Sequence, residues 1–510
     1  MSLLPFLLVT FGGTVVALGV RSIDRLETIV GTVVLVGAVL TALAITPDQV
    51  LVVGGSTIAT TAYLRLFLVL GSVVGLLLAL VGAAGGNRRD VPAVTAAILG
   101  TSALALALPD ARLAVLAATA GGIFGALLTI VAIGARAGAT VGTRVLRATV
   151  IAGTMAVAAT AWIGRDLSEL AAQPIVFGLA YLAMALAVAI RFGAIPFHAW
   201  SARLTDTVPE TGLPLVTAIG PAALAIVALA WTDASIAPLL VDLDSVRAVV
   251  LAIAIASILL ASLAAWIQDD IEHIVGYSII GDAGVVLLAV AALDPEAWAP
   301  ARTWILAFIV TRSAFAAWAA ATRASFFTGR VDDLRGWAMR SPWLGIAFGL
   351  IVVASIGLPG LAAFEARGSL VSLALGGPLA TIVFLGTLAP IAYYARLLVI
   401  GLERPDGQPA GRTWRPKLEA LDLTDLRGWI ATSWAANRGF GAVAGAFMLA
   451  VLAIAVSVGA FGGPEAAAGL PPSDAPAVES FTPDGPTGPG EPEGEPPLEG
   501  EPSIEAAPMP

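Results

Sequence analysis

Long apolar segments recur along almost the whole chain and limit what it can fold into. A transmembrane helix needs about 20 consecutive apolar residues, and hydropathy predicts about fourteen such spans. They lie near residues 2–20, 28–46, 66–85, 92–108, 111–134, 147–164, 175–195, 213–231, 246–267, 274–293, 302–321, 342–363, 370–400 and 439–461. The sequence therefore predicts an all-α polytopic membrane protein. No basic segment precedes the first span, so we expect it to stay in the membrane rather than be cleaved as a signal peptide.

Residue types that bind cofactors are scarce. The chain has no cysteine, which excludes disulfides, thiolate metal sites and iron–sulfur ligation. Its two histidines are too few for a haem or zinc cluster, and no glycine-rich phosphate loop follows a strand. We therefore expect no cofactor, no bound metal and no nucleic-acid partner. The chain by itself is not expected to carry out redox chemistry.

Arginine residues concentrate in the loops that follow odd-numbered predicted spans, whereas the loops between them are richer in acidic residues. These arginines are Arg21, Arg25, Arg88, Arg89, Arg136, Arg144, Arg147, Arg323, Arg330, Arg335, Arg340, Arg404, Arg412, Arg415, Arg427 and Arg438. Cytoplasmic loops of membrane proteins carry an excess of basic residues. The pattern predicts a multi-pass protein of the inner (plasma) membrane with both termini extracytoplasmic.

The composition changes at the end of the chain. Residues 464–510 contain ten acidic residues and no lysine or arginine, and therefore account for the net charge of −9. Pro, Gly and Glu repeats of this kind bury too little apolar area to fold. We predict a transmembrane domain over residues 1–463 and a disordered acidic extracytoplasmic tail over residues 464–510.

Two predicted spans combine a charge with a helix break. In the seventh span Arg191 precedes Pro196 and His198. In the twelfth span Pro359 and Gly360 precede two charged residues, Glu365 and Arg367. Charge at membrane depth is costly and usually functional, and a broken helix is tolerated there only where protein or water satisfies the backbone. Broken helices in both halves of a membrane protein are typical of inverted repeats around an ion path.

Four groups of short motifs occur in order along the chain. They occupy residues 196–200; 268–271 with 276–279 and 283–284; 333–336 with 340–342 and 357–362; and 392–396. On these motifs, roughly residues 60–400 resemble the antiporter-like proton-translocating subunits of complex I and Mrp antiporters, most of all the N-type NADH-quinone oxidoreductase subunit. The resemblance implies partner membrane subunits in a complex I-like or Mrp-like assembly, with the redox chemistry located in other subunits.

The chain departs from the residues that this family uses for proton transfer. The family's lysines in spans seven and twelve match Arg191 and Arg367, its lysine in span eight falls near Ala225, and its glutamate in span five falls near Thr119. Arginine keeps its proton at ordinary pH because its unperturbed pKa is above about 12, so it cannot pass a proton on. We therefore expect the fold to be kept and proton conduction to be weakened or altered.

A polar axis through the membrane is predicted from charges in separate spans, namely Arg191, Asp282, Arg312, Glu365 and Arg367. Arg191, Asp282 and Arg312 each have a structural alternative. Asp282 either pairs with an arginine such as Arg312 or titrates; Arg312 either extends the axis or bonds to nearby carbonyls. Glu365 and Arg367 lie two residues apart and are not expected to face each other on a helix.

Arg191 and His198 carry open alternatives, and Glu272 carries a single interpretation. Arg191 is a fixed cation of the axis or pairs structurally with a carboxylate such as Glu210. His198 is a proton carrier, since its unperturbed pKa is near 6.5, or a cap for the carbonyls of the broken helix. Glu272 and its acidic neighbours are interpreted most simply as a solvated loop.

Three functions follow from this sequence. The first is a membrane subunit of a complex I-like assembly with an antiporter-like fold. The second is a stand-alone or two-component cation/proton transporter, including the kind that energises inorganic carbon uptake. The third is a non-conducting structural subunit, which the missing lysines favour.

Overall fold

The computed structural model describes residues 1–20, 24–53, 56–85, 91–131, 137–162, 174–236, 243–403 and 426–462. The helices of its first half are α1 (Leu4–Gly19), α2 (Asp24–Leu43), α3 (Ala62–Ala84), α4 (Val91–Ala107), α5 (Ala111–Val131), α6 (Ala137–Trp162), α7 (Pro174–Phe192), α8 (Ala199–Leu204) and α9 (Gly220–Ser235). Those of its second half are α10 (Asp244–Trp266), α11 (Ile271–Ala292), α12 (Trp298–Phe326), α13 (Trp337–Arg340), α14 (Pro342–Ile356), α15 (Ala362–Ala374), α16 (Gly377–Gly386), α17 (Pro390–Leu402) and α18 (Leu426–Ser457).

Ten helical segments of the described chain are long and apolar enough to cross a membrane. They are Leu26–Leu43, Ala62–Ala84, Gly138–Trp162, Ile175–Phe192, Glu210–Ser235, Asp244–Trp266, Ile271–Ala292, Pro295–Phe326, Gly377–Leu402 and Gly439–Ser457. Four shorter apolar helices accompany them, at Leu4–Gly19, Val91–Ala107, Ala111–Leu127 and Pro342–Ile356. The predicted all-α membrane fold is confirmed, whereas the exact count of fourteen spans is not.

A short β-hairpin interrupts the helical pattern and was not predicted. Strand β1 (Val50–Val53) pairs antiparallel with β2 (Ser56–Ala59), with Val50 opposite Ala59. The sequence carries a signal for it, because β-branched residues flank Gly54 and Gly55, and paired glycines favour hairpin turns. The hairpin connects α2 to α3.

Helices α11 and α12 form the centre of the bundle. Nearly all of their side chains are buried, as expected for helices that are apolar on every face. A Cβ added at Gly284 of α11 would lie 2.7 Å from the backbone oxygen of Ala254, so only glycine permits this close approach to α10. The mid-points of α11 and α12 therefore lie deep inside protein, where a charged side chain needs a partner.

The helix of the seventh predicted span is interrupted between α7 and α8, and Pro196 lies in the gap. Polar side chains satisfy the freed backbone groups: Ile195 N donates to Ser257 Oγ at 3.0 Å, and Ile190 O accepts from Trp200 Nε1 at 2.9 Å. A second interruption separates α14 from α15 and contains Pro359 and Gly360. Both gaps follow the pattern expected of broken helices at membrane depth.

The predicted acidic tail, residues 464–510, lies outside the described residues, as do several of the arginine-rich loops. The division into a membrane domain and a disordered tail therefore stays a prediction.

Candidate ion-path site

A buried ion pair joins α11 and α12 inside the membrane bundle. Arg312 Nε lies 2.6 Å from Asp282 Oδ2, with Arg312 completely buried and Asp282 only 7% exposed. Both residues lie near the middle of long helices, so the pair sits at membrane depth. Of the two alternatives for Asp282, the structure has the pairing with Arg312.

Two tyrosines complete the surroundings of Arg312. Its Nη1 donates to Tyr394 Oη at 2.8 Å and approaches Tyr393 Oη at 3.4 Å. These hydroxyls come from α17, within the motif at residues 392–396, but sequence reasoning assigned them no role. Within the described chain, Arg312 Nη2 has no hydrogen-bond partner. The cluster of Asp282, Arg312, Tyr393 and Tyr394, here called the Arg312 cluster, therefore joins three helices.

Arg367 lies close to the Arg312 cluster, and none of the ion pairs between described residues joins it to a carboxylate. Its guanidinium donates to Ile356 O, the last carbonyl before the second helix break. It also lies 5.7 Å from the ring centroid of Trp304, and the indole of Trp304 donates to Asp282 O at 3.3 Å. Arg367 thus stabilises the open end of α14 with a fixed positive charge beside the Arg312 cluster.

Glu365 is not part of this group. It lies on the exposed side of α15, and its Oε1 accepts a hydrogen bond from Gly360 N at 3.1 Å. Because it is two residues from Arg367, the two side chains project in different directions, as expected. The structure therefore does not bring Glu365 together with Asp282 and Arg312, contrary to the predicted axis.

Arg191 forms a separate buried polar centre. It is 2% exposed, and its Nη1 donates to Thr149 Oγ1 at 3.2 Å. The guanidinium lies so close to Gly122 of α5 that an added Cβ would be 2.7 Å from it. Among the residues that the structure describes, no carboxylate forms an ion pair with Arg191, and its Nε lacks a partner. The arginine is held by helix packing and one hydroxyl.

The suggested pairing of Arg191 with Glu210 does not occur. Glu210 is buried and instead lies 3.0 Å from Arg323 Nε at the end of α12. Arg323 also pairs with Glu272 on the first turn of α11. The interpretation of Glu272 as part of a solvated loop is therefore corrected: it is mostly buried and shares Arg323 with Glu210. Sequence reasoning missed this because the three residues lie in separate parts of the chain that meet only in the folded bundle.

His198 directly precedes α8, at its N-cap position, and is partly buried. Its side chain makes no capping hydrogen bond, so that alternative is not observed. In the described part of the chain its Nδ1 is buried without a hydrogen-bond partner. The structure thus places His198 next to the first helix break and links it by no hydrogen bond to the Arg312 cluster.

The two positions that match the family's titratable residues in spans five and eight are occupied by uncharged side chains. Thr119 donates to Val115 O at 2.8 Å within its own helix, and Ala225 is completely buried. Near the Arg191 centre, Phe192 packs edge to face against Phe308, which lies one turn from Arg312, with ring centroids 5.9 Å apart. No hydrogen bond or ion pair between described residues connects Arg191 to Asp282 or Arg312.

An additional buried arginine escaped sequence reasoning because it stands at the start of its span. Arg302 is 3% exposed, and its guanidinium stacks 4.9 Å from the ring of Tyr63 and 4.7 Å from that of Trp298. It lines a mainly apolar cavity of about 220 Å³ that Asp233 also borders.

These buried arginines, the paired carboxylate and the two broken helices lie in a segment that matches a known family model. Residues 113–391, more than half of the chain, match the family described as NADH:quinone oxidoreductase/Mrp antiporter, transmembrane. The chain belongs to this family. This match confirms the resemblance found in the short motifs. The matched segment of the oxidoreductase/antiporter family contains Arg191, Asp282, Arg312 and Arg367.

Individual members of the family are distant relatives. The NADH-quinone oxidoreductase subunit N of Acidithiobacillus ferrooxidans is 26% identical over 271 residues, which is 51% of this chain and 55% of the relative. The chain spans about half the length of the curated relatives it matches.

Chains in solved structures share the fold over nearly the whole chain. A chain of the Mrp complex from a Dietzia species superposes with a TM-score of 0.71 and 16% identity, covering 92% of this chain and 97% of that one. A chain of respiratory complex I from Thermus thermophilus with bound NADH gives a TM-score of 0.67 and 18% identity, covering 91% and 97%. The antiporter-like fold is therefore established.

Proposed function

We propose that this chain is a membrane subunit of a complex I-like assembly whose redox chemistry is carried out by other subunits. The observation that carries the proposal is the Asp282–Arg312 ion pair at membrane depth, 2.6 Å long and bonded to Tyr394. Buried charges in membrane helices are costly and mark ion or substrate paths. The curated relatives named NADH-quinone oxidoreductase subunit N support the choice of assembly.

The chemistry of the buried residues favours altered proton transfer. Asp282 is bound in an ion pair with Arg312, whose other hydrogen bonds go to the hydroxyls of Tyr393 and Tyr394, and an arginine side chain does not release its proton at ordinary pH. Arg191 and Arg367 likewise act as fixed cations. The chain thus supplies an electrostatic framework for ion movement with few groups that release a proton.

Two other functions have specific support. The likeness to a chain of an Mrp complex, over nearly the full length of both chains, favours a cation/proton transporter subunit. The burial of Arg191 without a carboxylate among the described residues favours a structural subunit that has lost the proton relay. Both alternatives keep the chain in the membrane, and they differ in the partners that accompany it.

Purification of the native complex distinguishes these functions. An affinity tag on this chain is expected to recover several further membrane and peripheral subunits, including some that carry flavin or iron–sulfur clusters. Mass spectrometry of the purified material, with an untagged strain as control, makes the measurement. Recovery of a single transporter-like partner would support the second function, and recovery of the chain alone would contradict the first.

We also propose that both termini are extracytoplasmic. The connections after predicted spans seven, nine and eleven meet at one end of the bundle, where Glu210, Glu272 and Arg323 interact. This supports placing these loops on one side of the membrane, and the arginines after span eleven favour the cytoplasmic side.

Cysteine labelling tests the orientation directly, because the chain has no cysteine of its own. An impermeant maleimide applied to intact spheroplasts is expected to label Ser473→Cys and to spare Gly407→Cys. Permeabilised cells provide the control, since both sites should then react. Labelling of Gly407→Cys alone in sealed cells would reverse the proposed topology.

A further inference from the structure

Glu365 lies near the middle of the membrane on the outside of the chain. Arg247 marks one end of the bundle, since its guanidinium donates to Ala374 O at 2.8 Å and Ala291 O at 2.7 Å, at the ends of α15 and α11. Glu365 precedes Ala374 by nine residues, which is about 14 Å along a helix. Because the hydrocarbon core is about 30 Å thick, the carboxylate is close to the midplane.

The described residues of the chain provide no counter-charge for the exposed carboxylate at this depth. One oxygen, Oε1, accepts a hydrogen bond from Gly360 N at 3.1 Å. No ion pair connects Glu365 to any cation within the described ranges. Acidic side chains in membrane spans face protein or a water-filled cavity and pair with other groups there. Contact with lipid tails would leave a charge without a partner.

The backbone beside Glu365 raises the same problem. Leu358, Pro359 and Gly360, which form the second helix break, are all exposed on the surface of the chain. Irregular backbone does not occur in contact with lipid inside the hydrocarbon core, because its polar groups find no hydrogen bonds there. The break therefore requires a protein surface over it.

The side chains that continue this face along α15 are polar as well. Ser369 and Ser372 are exposed and lie four and seven residues after Glu365, on the same side of the helix. In contrast, the exposed side chains towards the end of α10 are all large and apolar, namely Leu259, Leu260, Leu263, Trp266 and Ile267. Small and polar residues are typical of contacts between membrane helices, so the α15 face differs from a lipid-facing one.

We propose that the face formed by Leu358, Pro359, Gly360, Glu365, Ser369 and Ser372, here called the break face, binds a membrane helix of a partner subunit. That helix presents an arginine or lysine to Glu365 near the midplane. The occupant follows from charge complementarity: the break face contributes an anion at a depth where only a paired charge is stable. The inference rests on the part of the proposed function that places the chain in an assembly with other membrane subunits.

Site-specific crosslinking in the native complex tests the surface. Benzophenone-maleimide attached at Ser369→Cys is expected to crosslink this chain to one other subunit on illumination. The same reagent at Leu263→Cys, towards the end of α10, is the control, because the exposed side chains of that surface are large and apolar. Crosslinks from Ser369→Cys to lipid alone, in a complex that still contains its other subunits, would overturn the proposed interface and leave the proposed function intact.

Substitution of Glu365 tests the charge separately from the hydrogen bond to the break. Glu365→Gln keeps an oxygen that accepts from Gly360 N but removes the charge, whereas Glu365→Leu removes both. Loss of one partner of a buried charge pair costs several kcal/mol, so Glu365→Gln is expected to lower recovery of the crosslinked subunit by at least about tenfold. Glu296→Gln, an exposed acid in the turn before α12, is the matched control and should leave recovery unchanged.

The two variants also distinguish a partner cation from a role of Glu365 within this chain alone. If Glu365→Gln leaves the recovery of all subunits unchanged and only Glu365→Leu lowers it, the carboxylate serves the helix break within this chain and the partner cation does not exist. Recovery of the chain without any other subunit would contradict both the interface and the proposed function.

Discussion

Replacing Asp282 with asparagine is expected to lower the free energy of unfolding of this chain by about 3–5 kcal/mol. The carboxylate is the only acidic partner of Arg312 among the described residues, and the pair is buried with an Nε–Oδ2 distance of 2.6 Å. Its removal leaves a fully buried guanidinium with the hydroxyls of Tyr393 and Tyr394 as its remaining side-chain partners. Uncompensated charge inside a protein is among the largest sources of destabilisation.

Thermal unfolding of the purified protein in detergent measures this effect. Asp269→Asn is the matched control, because Asp269 is 69% exposed and its 3.6 Å contact with Arg396 belongs to the class of surface pairs that contribute little. The double variant Asp282→Leu/Arg312→Met removes both charges and is expected to regain most of the lost stability. Equal destabilisation by the double and single variants would show that packing, not charge, dominates at this position.

The fold and part of the site could be predicted from the sequence, because their physical causes act between residues that are close together in the chain. Apolar runs of membrane-spanning length specify helices regardless of their neighbours, and proline next to glycine specifies where a helix stops. The pairing of Asp282 with Arg312 was also within reach, because two opposite charges placed near the middle of adjacent spans have few other partners. These inferences need only the chain's own periodicity and the high cost of isolated charge in a membrane.

Other features depend on how each helix is oriented about its axis relative to its neighbours. The periodicity of the sequence alone does not specify that orientation. Glu210 pairs with Arg323 rather than Arg191 because the connection before α9 packs against the end of α12, a contact between distant parts of the chain. The same reason applies to Tyr393 and Tyr394, whose hydroxyls reach Arg312 only in the folded bundle. The charge of Glu365 led to the prediction that it lies in the interior, whereas in the structure it lies on the exposed side of α15.

Proton translocation through this subunit is expected to be weak or absent. A relay needs groups that accept and release protons in turn, and the buried bases here are arginines that keep their charge. Arg191 contacts Thr149 and has no carboxylate partner in the described chain, and neither Thr119 nor Ala225 replaces a titratable group. A fixed cation without a counter-charge also repels a second positive charge that approaches it.

Proton uptake by liposomes that contain the purified native complex measures this directly. Uptake per assembled complex is expected to be unchanged in Asp282→Asn and in Glu365→Gln, once the amount of intact complex is matched. Asp282→Glu keeps a carboxylate and separates loss of charge from loss of stability. Strong pumping that Asp282→Asn abolishes while Asp282→Glu retains it would establish a carboxylate relay through water and contradict the expectation. Pumping that survives every one of these substitutions would instead assign the proton path to other subunits, because the Arg312 cluster holds the paired carboxylate nearest the centre of this bundle.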